Sequence, residues 1–228
     1  MWCKNCNIET NEEKCPICGE KTVEDYPTEV YWCDNCRVPV MQEVNQADKG
    51  ICQRCGKPMK YLAADIRPVF PEERLLIEIL LKKKPHQWIN ESVWASNNRY
   101  YINGKSVALP NKLFQKANAD EYIEKLERNK DNNSYEAFDR YIDAFVEANR
   151  TRLNYLIDES HTFVRKTAAK FPEENIVLSF SGGKDSTVTA DVAIKALSDP
   201  SLVHIFGNTT LEFPLTIEYA KRYRKNNP

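Results

Sequence analysis

The residues from Ser181 to Ser186 read Ser-Gly-Gly-Lys-Asp-Ser, and their types suit the binding of an anion in a tight turn. Adjacent glycines reach backbone conformations closed to other residues and leave no Cβ between a ligand and the main chain. If a helix begins within the turn, its first amides and its dipole favour negative charge at the same place. Lys184 adds a positive charge, Ser181 and Ser186 add hydroxyls able to meet phosphate oxygens, and Asp185 suits a helix cap or a metal ligand. The bland alternative is a Gly-Gly turn without a ligand.

All eight cysteines lie before residue 56, in four C-x-x-C pairs: Cys3/Cys6, Cys15/Cys18, Cys33/Cys36 and Cys52/Cys55. Two thiolates from one turn reach a single ion, and two such turns complete a tetrahedron. The local partition gives one Zn²⁺ to Cys3, Cys6, Cys15 and Cys18, and a second to Cys33, Cys36, Cys52 and Cys55. Gly19 and Gly56 each follow the second pair, as in zinc ribbons, so the halves read as a tandem repeat with a longer insertion in the second. Modules this small need a cross-link, and a site filled by thiolates leaves no open position, so both ions are expected to be structural. Iron uses the same ligands. Disulfides would also use an even count, but they do not suit a cytoplasmic chain, and a redox pair would need an adjoining βαβ pattern that this region lacks.

The elements that must position the turn are legible around it. Ile176, Val177, Leu178 and Phe180 form a short apolar run suited to a buried parallel strand. From Lys184 the period changes: Val188, Val192, Ala193, Ala196 and Leu197 fall at helical spacing. Asp199-Pro200 then turns the chain, and Leu202 to Phe206 gives a second strand. Strand, crossover helix and strand make a βαβ unit, whose ligands gather at the carboxyl ends of the strands, where Gly207 to Thr210 also lies. A helix is expected over Thr216 to Arg224.

The turn is not a Walker A loop, because Leu178 stands where that motif needs glycine and Asp185 where it needs serine or threonine. The run Phe180 to Thr187, FSGGKDST, resembles the PP-loop of the ATP pyrophosphatase and phosphoadenosine phosphosulfate (PAPS) reductase superfamily. Asn208 to Thr216 is similar to the family segment in which Asp-Thr precedes Glu-Phe-Pro, with Asn208 in place of the common aspartate. The resemblance covers about the last quarter of the chain. It implies an adenine nucleotide alpha hydrolase-like parallel sheet binding ATP or a sulfonucleotide. Ser181, Gly182, Gly183, Lys184, Asp185, Ser186, Thr209 and Thr210 would line the nucleotide, Lys184 and Asp185 would serve catalysis, and Mg²⁺ would accompany ATP. The Lys-Asp-Ser ending resembles ATP-using members, such as sulfate adenylyltransferase small subunits and DNA phosphorothioation proteins, which points to adenylyl transfer. Reductases of the family attack with a cysteine near the C-terminus, and every cysteine here is committed to a metal module.

The composition is that of a globular protein, and a formal net charge of −1 gives no global steering toward nucleic acid or an anionic membrane. The sequence contains no bilayer-length apolar run and no secretory leader, so a cytoplasmic location without membrane contact is expected. In the ribbons, Trp2, Tyr26, Tyr31 and Trp32 with nearby lysines and arginines suit nucleic acid, while a cluster of acids suits packing or a protein partner equally well. A helix is expected over Glu72 to Lys84, with Lys82, Lys83 and Lys84 at its solvated end, and Tyr61 to Pro71 reads as a connector. Arg99 to Leu109 is a hairpin turning at Asn103-Gly104. Asn118 and Glu121 suggest a capping box opening a helix to Leu126, and a loop follows over Arg128 to Asn133. A long helical pattern runs from Ser134 to before Pro172, with a break near Asn149 to Asn154.

The fold expected is α/β: zinc ribbons over 1–62, a connector with helix and hairpin over 63–133, and over 134–228 a long helix and the first part of a PP-loop domain. Two strands alone leave sheet faces uncovered, so a truncated chain or completion by another polypeptide is expected. The functional expectation is a PP-loop enzyme acting between the α- and β-phosphates. Its rival is a ribbon module binding nucleic acid or protein, with an inert PP-loop half.

Overall fold

The computed structural model describes residues 1–3, 5–6, 8–10, 12–23, 28–43, 47–97, 99–109 and 119–227. It divides into two compact units, Met1–Arg152 and Leu153–Pro228. The division falls inside a helix, Arg150–Ala168.

In the first unit β1 (Trp2–Cys3) and β2 (Ile8–Glu9) pair antiparallel. Thr22 is buried and closes this module by donating its hydroxyl to the Glu12 carbonyl at 2.6 Å. The second module is a three-stranded antiparallel sheet in the order β4-β3-β5, built from β3 (Thr28–Cys33), β4 (Val38–Glu43) and β5 (Lys60–Ala63). Part of the expected connector is therefore a strand: β5 pairs with β3 and satisfies backbone groups that a free linker would leave to water.

A second sheet runs β6-β7-β8-β9: β6 (Arg67–Pro68), β7 (Val93–Ser96), β8 (Arg99–Ile102) and β9 (Lys105–Ala108). The expected hairpin is present, with Asn103 (φ 50°) and Gly104 (φ 75°) both left-handed, as a two-residue turn of the favoured twist requires. Side chains alternate between two cores. Val93, Ala95, Tyr100 and Ile102 pack with Val69 and Ile77, the latter from α1 (Pro71–Leu80). Trp94 and Tyr101 face the other way, into a cluster with Trp32, Val38, Val40, Ala137 and Tyr141. Burial thus accounts for the hairpin tyrosines without a ligand. The turn itself rests on Trp32, where a Cβ at Gly104 would lie 2.5 Å from the indole ring.

Helix α1 stops at Leu80, so Lys82, Lys83 and Lys84 lie beyond it rather than in its last turn, and all three are exposed. Helix α2 (Ala119–Asn129) runs past Leu126 and a 3₁₀ turn follows at Lys130–Asn132, where a loop was expected. The proposed cap Asn118 lies outside the described residues. Helix α3 (Glu136–Ala148) brings Ala137, Tyr141 and Ala148 into the core. The expected break occurs at Asn149, before α4 (Arg150–Ala168). Asn149 is buried; its Oδ1 accepts from Met41 N at 2.6 Å, and its Nδ2 donates to the Pro39 and Phe145 carbonyls. An asparagine here joins a helix end to an edge of β4. The core runs across the 62/63 and 133/134 divisions read from the sequence.

The second unit holds most of α4, then β10 (Val177–Ser179), α5 (Lys184–Leu197), β11 (Val203–Ile205) and α6 (Pro214–Asn226). β10 and β11 pair in parallel, with Val177 opposite Val203 and Ser179 opposite Ile205. One face of the pair carries Phe180, 4% exposed, stacked on Tyr223 at 4.3 Å between ring centroids. The other presents Val177, Val203 and Ile205, each about half exposed. Among the described residues no helix is long and apolar enough to cross a membrane.

Candidate functional site

The turn after β10 is built as its residue types require. Phe180 N donates to the Ile205 carbonyl at 2.9 Å, extending the strand pairing to the edge of the turn. Gly182 has φ 75°, and a Cβ there would lie 3.0 Å from Thr216 Cγ2 in the first turn of α6. Two constraints therefore demand glycine at 182: a left-handed backbone and a close neighbour. Gly183 is different. Its φ of −84° suits any residue, it serves as N-cap of α5, and no side chain caps the helix end. The amides of the first turn of α5 are thus left to a ligand or to water.

Hydroxyl protons in this turn can be traced from donor to acceptor. The Gly183 carbonyl accepts from Thr187 N at 3.1 Å, Thr187 Oγ1 at 2.8 Å and Ser186 Oγ at 3.0 Å. Each hydroxyl has one proton. Ser186 spends its own on Gly183, so Ser181 Oγ donates to Ser186 Oγ, 3.1 Å away, and Ser181 N also donates to that oxygen. In this conformation the two serines staple the turn. What faces outward is the amide edge of α5 and Lys184, whose ammonium lies 3.0 Å from the Asp185 carboxylate with both side chains about nine-tenths exposed. Asp185 sits in the first helical turn but does not cap it.

Thr209 and Thr210 follow the end of β11, the neighbouring strand, so both segments leave the carboxyl side of the same parallel pair. Thr209 donates N–H and Oγ1 to Glu212 Oε1, the hydroxyl at 2.7 Å, and that hydrogen bond holds the Glu212 carboxyl below its usual range. Asn208, standing where the resemblance has aspartate, accepts from Thr210 N at 2.9 Å and supports its left-handed backbone (φ 69°). Its role in this geometry is a side-chain-closed turn, which asparagine fills as well as aspartate. Sequence reasoning missed Thr187 and Tyr219, whose oxygens lie 3.0 Å apart, and Thr216. Thr187 had a signal, a hydroxyl next to the motif; Tyr219 and Thr216 had none, because only tertiary packing brings α6 to the turn.

The cysteines group as the spacing predicts, in Cys3, Cys6, Cys15, Cys18 and in Cys33, Cys36, Cys52, Cys55, the sulfurs of each group lying within 4.8 Å of one another. Sulfurs on a tetrahedral zinc are about 3.8 Å apart, given Zn–S bonds of about 2.3 Å. Cys33 to Cys55 measures 3.5 Å and Cys36 to Cys52 3.9 Å, and all eight cysteines are free rather than disulfide-bonded. Gly19 (φ 74°) and Gly56 (φ 69°) close the second turns, each donating N–H to the carbonyl of the cysteine four residues back. Cys6 N donates to Cys3 Sγ and Cys36 N to Cys33 Sγ, the amide support expected around metal-bound thiolates. Asn5 holds the Cys18 thiol down to about 6, while the hydrogen bond shared with Cys18 pushes Cys6 up to about 12. Crowded thiols cannot all ionise alone; a divalent ion replaces the protons they keep. Both groups could hold a metal ion such as zinc.

The second group is the more deeply built. Cys33 and Cys52 belong to the core that contains Trp94 and Tyr141. Arg37, left-handed at φ 57°, follows Cys36 and donates to Glu91 at 2.6 Å and Asn103 at 2.7 Å. Of the ribbon aromatics, Tyr31 and Trp32 are buried and so do not offer stacking faces, Trp2 has no described side chain, and Tyr26 lies outside the described residues.

Comparison with known proteins bears on the second unit. A protein of Methanocaldococcus jannaschii, described as uncharacterized, is 35% identical over 86 residues, which cover 37% of this chain and 20% of that protein. The chain thus spans about a fifth of that relative's length. No solved structure matches. Residues 175–227, which hold β10, the glycine turn, α5, β11 and α6, match the phosphoadenosine phosphosulfate reductase domain, and this supports kinship of that region with the PP-loop and PAPS reductase family.

Proposed function

We propose that the second unit is a PP-loop nucleotide site that binds ATP and catalyses adenylyl transfer to an acceptor, releasing pyrophosphate. One observation carries the reading: an uncapped helix N-terminus at the end of a parallel strand, entered through a left-handed Gly182. Such amides bind phosphate without a side-chain intermediary. Gly183 leaves room for the phosphates to approach, and the Ser181–Ser186 staple keeps the amides in place.

An acceptor oxygen would attack the α-phosphorus, and the bond from that phosphorus to the bridging oxygen would break as pyrophosphate leaves. Lys184, exposed at the turn, would neutralise charge gathering on the phosphates. Mg²⁺ would arrive with the nucleotide and share that neutralisation, and the exposed Asp185 carboxylate is suited to stand as its protein ligand. Sulfonucleotide reduction by a cysteine of this chain finds no support, since all eight cysteines belong to the two tetrads. The ions held there would be structural zinc, with every coordination position filled by thiolate.

The test is calorimetric titration of ATP with Mg²⁺ into the full chain and into Lys184→Ala. Loss of one charge-assisted contact, worth roughly 1.5–3 kcal/mol, should weaken binding by about ten-fold or more. Equal affinity in the two proteins would refute the phosphate role of Lys184, and no binding by the unaltered chain would refute the reading.

A further inference from the structure

The peptide between Gly183 and Lys184 is anchored through its carbonyl. Its carbonyl takes three donors, from Thr187 N, Thr187 Oγ1 and Ser186 Oγ. A trans peptide is planar, with its N–H opposed to its C=O. Pinning the carbonyl into the helix therefore aims the Lys184 N–H outward, toward the mouth of the turn.

Thr187 has a second partner. Its hydroxyl proton is spent on the Gly183 carbonyl, so the Tyr219 hydroxyl, 3.0 Å from Thr187 Oγ1, is the donor of that pair. Tyr219 lies on α6, its ring stacked with Phe180 at 6.3 Å and an interplanar angle of 28°. The same helix supplies Thr216 against Gly182. A chain of oriented hydrogen bonds thus runs from α6 to the peptide whose amide opens the proposed phosphate site.

We propose that Tyr219 is a positioning residue for that site: through Thr187 it fixes the Gly183 carbonyl and so aims the Lys184 amide at the bound phosphate. This rests on the nucleotide reading above. The role assigned to the residue is exerted through Thr187 and not on the phosphate directly. Its effect must pass through Thr187, which gives the inference a signature.

The experiment is a cycle in the full chain with Tyr219→Phe, Thr187→Val and the double variant, read by ATP affinity and by the ¹H–¹⁵N shift of the Lys184 amide without nucleotide. Tyr219→Phe keeps the ring and its stacking, and losing one neutral hydrogen bond should weaken ATP binding about five-fold. The double variant should bind no worse than Thr187→Val alone, and Thr187→Ser should bind like the unaltered chain because it keeps the hydroxyl. Unchanged affinity in Tyr219→Phe, or losses that add in the double variant, would overturn the proposal. If the unaltered chain binds no ATP, the nucleotide reading fails, and the amide shift decides the positioning. A Lys184 shift that moves in Tyr219→Phe supports it, and an unmoved one overturns it.

Discussion

Alanine at Gly182 and at Gly183 should have separable effects, although the two glycines are adjacent. At Gly182 the backbone is left-handed (φ 75°), which costs a residue with a Cβ roughly 1–2 kcal/mol. The new Cβ would also meet Thr216 Cγ2 at 3.0 Å and the Thr216 carbonyl at 3.6 Å, adding about 1 kcal/mol of overpacking. The expected sum is about 2–3 kcal/mol for Gly182→Ala. At Gly183 the backbone is ordinary and the nearest atom, Ser181 Oγ, would lie at 3.4 Å, a normal contact. Reduced freedom of the unfolded chain, worth about 0.4–1 kcal/mol, then roughly offsets the loss of a favourable N-cap residue. Hydrogen exchange over residues 176–206 reports the opening free energy of this region, and ATP titration reports the site. Gly182→Ala should lower both protection and affinity. Gly183→Ala should keep protection and lose affinity at least ten-fold, because its Cβ would occupy space beside the phosphate. Adding Thr216→Ser to Gly182→Ala should recover the packing share, about 1 kcal/mol, and leave the backbone share. Full protection in Gly182→Ala, or undiminished ATP binding in Gly183→Ala, would refute this division of roles.

Two further outcomes follow from the first unit. Metal analysis should find two zinc ions per chain; Cys18→Ser should remove one, whereas Cys55→Ser should remove the other and redden the tryptophan emission, because its cluster shares a core with Trp32 and Trp94. Arg67, bonded to both oxygens of Glu73 at 2.6 and 2.7 Å, and then Tyr100, hold that carboxyl below its usual range. A depressed folded-state pKa contributes stability that is present above about pH 4.3, the unfolded value, and is lost as pH falls through the folded one. Glu73→Gln should therefore cost about 1 kcal/mol at neutral pH, given the partial exposure of Arg67, and nothing in strong acid. A urea-denaturation series against pH reads both limits, and a cost that persists in acid would point to packing instead of charge.

Local chemistry made much of this protein legible in its sequence. The four C-x-x-C turns place their own sulfurs, so the two tetrads followed from spacing. The hairpin at Asn103-Gly104, the break at Asn149 and the turn between β10 and α5 each depend on a few neighbouring residues with strong conformational preferences. Glycine at 182 was recognisable for the same reason. The strand β7 escaped notice because Val93 and Ala95 face one core and Trp94 the other, so it carries apolar groups on both sides, without a half-buried alternation. β5 looked like a linker because its partner, β3, lies some thirty residues away.

The tertiary structure alone decided what presses on the glycine turn, and the folded conformation of the turn decided how its hydrogen bonds are oriented. Sequence supplied Ser181 and Ser186 as hydroxyls for a phosphate; the fold spends their protons inside the turn, because Gly183 offers a carbonyl within reach of Ser186. Thr216 and Tyr219 come to the turn from α6, across a parallel strand pair, and no local preference encodes that approach. The sequence by itself determined which groups the chain could offer to a metal or an anion, since those depend on residue type and short spacing. Which of those groups remain free to meet a ligand was settled by the folded turn, whose own hydrogen bonds take up the serine hydroxyls, and by packing, which brings Thr216 and Tyr219 to it from a distant helix.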